Sequence, residues 1–182
     1  MQTQEPEFDD LTLAALQARA GDTDAAARFV RGSQSDVWRL CAHLGSRRDA
    51  EDLTQETFAR AFASLHRFAG RSSARTWLLS IARRVCADAI RSRKPVSPMA
   101  EIEPRERGSD PADTVSLRLL LDSVDAPFRE AFVLTQILGL SYPEAADVIG
   151  CPVGTIRSRV ARARDALVTG LGDGSRSNRK LG

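Results

Sequence analysis

Lysine is almost absent from these 182 residues: among 26 basic side chains it occurs at Lys94 and Lys180 and nowhere else. With abundant alanine and arginine, that scarcity points to a GC-rich coding sequence. Cysteine is sparse too. Cys41, Cys86 and Cys151 are odd in number and far apart, without CxxC or Cys/His ligand spacing, which excludes a disulfide framework and argues against zinc. They are expected as reduced, partly buried thiols in a cytosolic protein. No apolar run approaches the roughly 18 residues a membrane span needs, so no membrane insertion is expected. The N-terminus carries Glu5, Glu7, Asp9 and Asp10 in place of a basic region before an apolar core, so no secretory signal is read there. Neither GxxxxGK[ST] nor GxGxxG occurs, and neither His43 nor His66 belongs to a recognisable triad. The expectation is a protein with no catalytic residues, no metal and no cofactor.

What is present is charge sorted into blocks. Net charge is +2. From Arg71 to Lys94 the basic residues Arg71, Arg75, Arg83, Arg84, Arg91, Arg93 and Lys94 face one acid, Asp88, whereas Glu101, Glu103, Glu106, Asp110 and Asp113 crowd the segment that follows. Almost every other segment has helical period, with no alternating strand pattern. Helices are predicted at 9–20, 23–44, 49–66, 73–93, 114–124, 127–138, 141–149 and 153–168, with a local break near Gly32. Pro95, Pro98, Pro104 and Pro111 mark a flexible linker. The predicted fold is all-α: a helical bundle over 1–94, a linker over 95–113, a second small helical domain over 114–169, and a disordered tail over 170–182.

The strongest local signal is SYPEAADVIGCPVGTIRSRVARARDAL, from Ser141 to Leu167. Ser141 and Glu144 form a capping box, Pro143 suits a first turn, Gly150 permits a left-handed exit, and Pro152 suits the next helix start. On that next helix Ile156, Val160, Ala163 and Leu167 repeat as a buried stripe. Gly154, Ser158, Ala161 and Arg162, flanked by Arg157 and Arg164, occupy the opposite side. Small residues between guanidinium groups let a helix reach base edges while its flanks grip phosphates. An ordinary antiparallel helix pair with a solvated arginine face is the plainer alternative.

The first domain has two faces of interest. In DAEDLTQETFARAF, Ala50, Thr54, Phe58, Ala61 and Leu65 point to a core, and Asp49, Asp52 and Glu56 share another face edged by Leu53 and Arg60. That face reads as solvated, as a metal site, or as a dock for a basic helical partner with Leu53 as anchor. In ARTWLLSIARRVCADAIRSRK, Trp77, Leu78, Ile81, Val85 and Ala89 form the buried stripe. Thr76, Ser80, Arg83, Arg84, Arg91 and Lys94 form a polar, basic strip. The preceding loop from His66 to Ser73 presents Phe68 as an exposed aromatic, with Arg67 and Arg71. A basic strip beside such a loop suits single-stranded nucleic acid; for Trp77, core packing is favoured over base stacking.

The runs DAEDLTQETF, RSSARTWLLSIAR and GLSYPEAADVIGCPVGTIRSRVARAR, in that order, resemble bacterial RNA polymerase sigma factors of the extracytoplasmic-function class, over roughly residues 10 to 168. The resemblance is to actinobacterial members with the two domains called sigma-2 and sigma-4. It implies that Asp49, Asp52, Leu53, Gln55 and Glu56 dock on the β′ clamp helices of core polymerase. Phe68, Arg71, Ser72, Arg75, Trp77, Ser80, Arg83 and Arg84 would open and hold the −10 element, with Arg84 contacting phosphate. Thr155, Arg157, Ser158, Arg159, Ala161, Arg162 and Arg164 would read the −35 element as duplex. Further implied partners are the polymerase β flap, promoter DNA and an anti-sigma factor, in a cytoplasmic, nucleoid-associated setting. The linker reaches at most ~65 Å, against about 50–60 Å between two promoter elements. A stand-alone helix-turn-helix regulator and a metal-dependent nucleic-acid enzyme are the competing readings.

Overall fold

In the computed structural model, residues 8–92 and 120–177 are described, with side chains to residue 170. Every regular element among them is helical. The predicted linker falls outside the described residues.

Helix α1 (Asp10–Arg19) starts on Asp9, whose carboxylate accepts from the Thr12 amide at 2.9 Å and the Thr12 hydroxyl at 2.7 Å. Thr12 is itself buried, and its Oγ1 accepts from the Ala74 amide at 2.9 Å. One side chain thus closes its own helix start and satisfies an orphan donor at the start of α4 (Ala74–Ser92), 62 residues away. Helix α2 (Thr23–Leu44) is capped by Asp22 and runs unbroken through Gly32, contrary to the expected break. Packing explains the difference: a Cβ at Gly32 would sit 3.1 Å from Leu11 Cδ1, so this glycine makes room for α1. Helix α3 (Ala50–Ser64) passes into a single 3-10 turn, Leu65–Arg67.

Phe29 is the hub of this half, fully buried, with ring centroids 6.4 Å from Phe58, 6.3 Å from Phe62 and 6.5 Å from Trp77. The first two meet edge to face, the arrangement the ring quadrupoles favour. The stripe of Leu78, Ile81 and Val85 on α4 is buried as its period requires.

The second half opens with a helical turn at 120–122, the described part of the helix expected over 114–124. Helix α5 (Ala126–Phe132) widens into a π-helical turn, Val133–Ile137. Helix α6 (Tyr142–Ile149) has both reciprocal bonds of the capping box between Ser141 and Glu144, and leaves through Gly150 at φ 77°. Helix α7 spans Val153–Ser177, so it runs into the first part of the tail expected to be disordered; residues 178–182 of that tail lie outside the described residues. The predicted helix ends at 168, but Leu167 is buried and Gly170 passes so near that a Cβ there would lie 3.1 Å from Leu120. That contact carries the helix past the glycine.

The two halves meet. Leu138, Leu140, Ala145, Val148, Ile156 and Val160 belong to the same buried cluster as Leu78, Leu79, Val85 and Phe29. Helix α6 lies against α4.

Candidate nucleic-acid and docking interface

Helix α7 presents the arrangement its sequence predicts. Ile156, Val160, Ala163 and Leu167 are buried, while Gly154, Arg157, Ser158, Ala161, Arg162 and Arg164 are exposed. The geometry follows from three signals: a capped α6, the left-handed Gly150, and Pro152 before the first turn. Two of the arginines are already oriented. The Arg162 guanidinium lies 5.6 Å from the Phe128 ring centroid, and Arg164 Nη2 donates to Gln136 Oε1 at 2.8 Å. Stacking on a ring fixes the fork without using its donors, which leaves them for an acceptor outside the protein. Thr155 is half-buried. Arg159 is half-buried too, and lines a cavity of about 300 Å³ between the two halves together with Arg83 and Glu130.

The predicted −10 strip is divided by the structure. Phe68, expected as an exposed aromatic, is 4% exposed and its ring centroid is 4.9 Å from that of Trp77. The reason is apolar burial: the loop is drawn inward, and Arg19 Nη1 donates to the Phe68 carbonyl at 2.8 Å. Trp77 packs on Phe29 and Phe68, as the core reading favoured. Thr76, expected on the polar strip, is buried; its amide donates to Ser73 Oγ at 3.1 Å, and that hydroxyl donates back to Thr76 Oγ1 at 2.9 Å. Ser73 therefore caps α4. Ser80 is half-buried and its Oγ donates to the Trp77 carbonyl at 2.7 Å.

The arginines of the strip are divided in the same way. Arg71 and Arg84 are exposed, and Ser72 is half-buried beside them. Arg75 is held on both sides: Nε donates to Asp36 at 2.7 Å and Nη2 to the Leu138 carbonyl of the second half at 2.6 Å. Arg83 forms a two-point pair with Glu130 of α5, Nε–Oε1 at 2.5 Å and Nη2–Oε2 at 3.4 Å. Two basic residues that the family resemblance assigns to DNA are thus occupied by the neighbouring domain. Nothing local signals this, because Glu130 lies 47 positions away.

On α3, Asp52, Gln55 and Glu56 are exposed. Asp49 is half-buried and bound to Ser46: its Oδ2 accepts from the Ser46 hydroxyl at 2.8 Å, while its amide donates to Ser46 Oγ at 3.2 Å. Leu53, read as a surface anchor, is 8% exposed. It closes on Gly45, where a Cβ would lie 2.6 Å from Leu53 Cδ1. Glu56 accepts from Arg60 Nε at 2.7 Å, and Arg60 Nη1 reaches Asp88 on α4 at 2.6 Å. Beside this acidic edge lies a groove of about 550 Å³ between α2 and α3, lined by Gln34, Trp38, Arg39, Glu51, Gln55 and Phe58 among others. Trp38 was missed by sequence reasoning. The structure shows it half-buried in this groove, with the Arg47 guanidinium 5.9 Å from its ring centroid.

Three of the groups with shifted proton affinities have clear causes in this packing. The Glu144 carboxyl is held below its ordinary value by hydrogen bonds from the Ser141 side chain and amide. The buried thiols of Cys41 and Cys86 share a hydrogen bond, which lowers Cys41 and, with burial, raises Cys86.

Comparison with known proteins places this geometry. The pattern of the family described as Sigma-70 region 2 matches residues 29–96, and that described as Sigma-70, region 4 matches residues 114–167. The chain is 50% identical over 165 residues to the ECF RNA polymerase sigma factor SigC of Mycobacterium tuberculosis, covering 87% of this chain and 89% of that one. It is 32% identical over 176 residues to the ECF RNA polymerase sigma factor SigW of Bacillus subtilis, covering 86% and 94%. Among solved structures, CnrH in complex with the cytosolic domain of CnrY is similar with a TM-score of 0.74 at 28% identity, over 91% of this chain and 99% of that one. The sigma factor RpoE in complex with the anti-sigma factor NepR from Bartonella quintana has a TM-score of 0.65 at 30% identity, over 78% and 92%.

Proposed function

Because the chain belongs to the extracytoplasmic-function sigma factors of the sigma-70 family, which direct core RNA polymerase to promoters, we propose how its residues divide that work. Residues 1–94 dock on polymerase and engage the −10 element, 95–113 form the tether, and 114–169 engage the −35 element. Asp49, Asp52, Gln55 and Glu56 form the edge that meets the basic β′ clamp helices, with Leu53 setting the spacing of α3 on α2 rather than inserting into the partner. Trp38 in the adjoining groove supplies the apolar contact that Leu53 was first read to supply.

Arg157, Ser158, Ala161, Arg162 and Arg164 face the major groove at the −35 element, Arg162 reading a base and the others gripping backbone. Arg71, Ser72 and Arg84 are free to meet the −10 strand in the closed arrangement, and Arg75 and Arg83 join them once the second domain moves away. Ser80, Thr155, Arg159, Phe68 and Trp77 act from behind this surface, shaping it. Opening of DNA is stoichiometric binding work, with no turnover: unstacking a base costs a few kcal/mol, offset by contacts of about 1–3 kcal/mol each and by phosphate neutralisation. No described helix is long and apolar enough to cross a membrane, and the reading places the protein in the cytoplasm, on the nucleoid when bound to promoters. The polymerase β flap is the further contact of the second domain. An anti-sigma factor, as in the RpoE–NepR complex, is the regulatory partner.

The observation that carries this reading is the pairing, in one chain, of an exposed arginine-edged recognition helix with an exposed acidic edge on a different domain. A stand-alone regulator has no use for the second. The test is affinity for core polymerase after Asp52→Lys with Glu56→Lys. A large loss, restored by raising neither salt nor DNA, is expected; unchanged affinity refutes the docking edge.

A further inference from the structure

The cavity between the two helical units holds more positive charge than its own walls neutralise. Its volume is about 300 Å³, the size at which small-molecule pockets begin. Arg83, Arg129 and Arg159 line it against one carboxylate, Glu130. Glu130 is committed to Arg83 through both oxygens. Arg129 reaches Asp122 with Nη1 at 3.2 Å, but its Nε is buried and has no acceptor, the one such side-chain atom among the described residues. Arg159 is half-buried and makes no hydrogen bond or ion pair among the described residues.

A desolvated guanidinium donor without an acceptor, as at Arg129 Nε, is costly, while the half-buried Arg159 offers an uncommitted fork whose geometry matches the oxygens of a phosphate. The rest of the lining is of another kind: Leu44, Ala87, Ile90 and Pro127 are apolar. Such a mixture suits a compound with one charged end and a compact body. A bare inorganic anion would leave most of the volume unfilled.

We propose that this cavity binds a small phosphorylated compound of mononucleotide size, its phosphate held by Arg129 and Arg159 and its body lying on Leu44, Ala87 and Ile90. The ligand touches both domains at once and therefore binds the closed arrangement in preference to any open one. By mass action it stabilises that arrangement as its concentration exceeds its Kd. This regulatory consequence rests on the functional reading above, since closure withholds Arg83 from DNA; the site itself does not.

The experiment uses the full chain free in solution, with 5′-AMP titrated calorimetrically and in thermal melts. Adenosine and inorganic phosphate serve as comparison arms at matched ionic strength. Single-site binding of AMP with a raised Tm is expected, adenosine being at least about tenfold weaker. Arg159→Gln and the cavity-filling Ala87→Trp each weaken AMP at least about tenfold while retaining the native helical spectrum. Inorganic phosphate binding that is lost in Arg159→Gln also supports the site. No AMP binding at millimolar concentration, equal binding of adenosine, or binding indifferent to both variants overturns the proposal. Promoter-specific initiation by the reconstituted holoenzyme is measured separately. Initiation without AMP binding sinks the cavity alone, and AMP binding without initiation sinks the functional reading alone.

Discussion

Replacing Glu130 by Gln tests what holds the two domains together. The Arg83–Glu130 pair makes two N–H···O contacts, at 2.5 and 3.4 Å, and its side chains are 31% and 14% exposed. It is thus sheltered enough to matter and wet enough that its full Coulomb energy does not apply. Glutamine keeps the shape and one acceptor but removes the charge, leaving Arg83 half-buried with a weaker partner. Loss of a charge-assisted bond in this setting costs about 1–3 kcal/mol, which lowers the closed-to-open ratio about 5–150-fold. The Arg75–Leu138 carbonyl bond and the shared apolar cluster remain, so the variant stays folded. Distances between labels on α1 and α7 report the opening, and anisotropy of a single-stranded −10 oligonucleotide reports the release of Arg83. Both should change together, with binding strengthened as the domains part. If interdomain distance and oligonucleotide affinity are the same in Glu130→Gln as in the parent, the pair is a surface accident and the closed arrangement owes nothing to it.

Four further outcomes follow from single contacts. Arg162→Ala should cost about 1–3 kcal/mol at a −35 site, confined to one base position, when binding is measured across a substituted panel; an equal loss on all sequences makes it a phosphate contact. Ser141→Ala should lower the melting stability by about 0.5–2 kcal/mol, since it removes the cap of α6. The paired Glu144 has a depressed folded-state proton affinity, so its contribution is complete above the ordinary glutamate value and fades as pH falls through the lower folded one. Acid titration of the parent and Glu144→Gln should therefore converge at low pH, and divergence there refutes the cap. Gly45→Ala should destabilise markedly, because a Cβ there meets Leu53 Cδ1 at 2.6 Å and the Cys41 carbonyl at 2.8 Å. A melting temperature equal to that of the parent would show that α3 shifts freely.

The recognition helix was legible in the chain because every signal it needs is local. The cap at Ser141, the exit at Gly150 and the Ile156–Val160–Ala163–Leu167 stripe lie within one stretch, and each acts on neighbours one or two turns away. The same holds for the acid edge of Asp52 and Glu56, where period alone put the carboxylates on an outer face. Three errors were equally instructive. Gly32 was read as a break, yet Leu11 needs its missing side chain. Phe68 and Leu53 read as surface residues, yet Trp77 and Gly45, on neighbouring elements, cover each. Periodicity assigns a face to a residue, but not what packs on that face.

Sequence by itself determined the helices, their caps, the stripe each buries and the sign of charge along each edge, since these depend on interactions within a few residues. Tertiary structure alone decided which charges are free. Arg75 and Arg83 look like Arg71 and Arg84 along the chain, and differ because Leu138 and Glu130, brought near by the burial of apolar surface shared between the domains, accept their donors first.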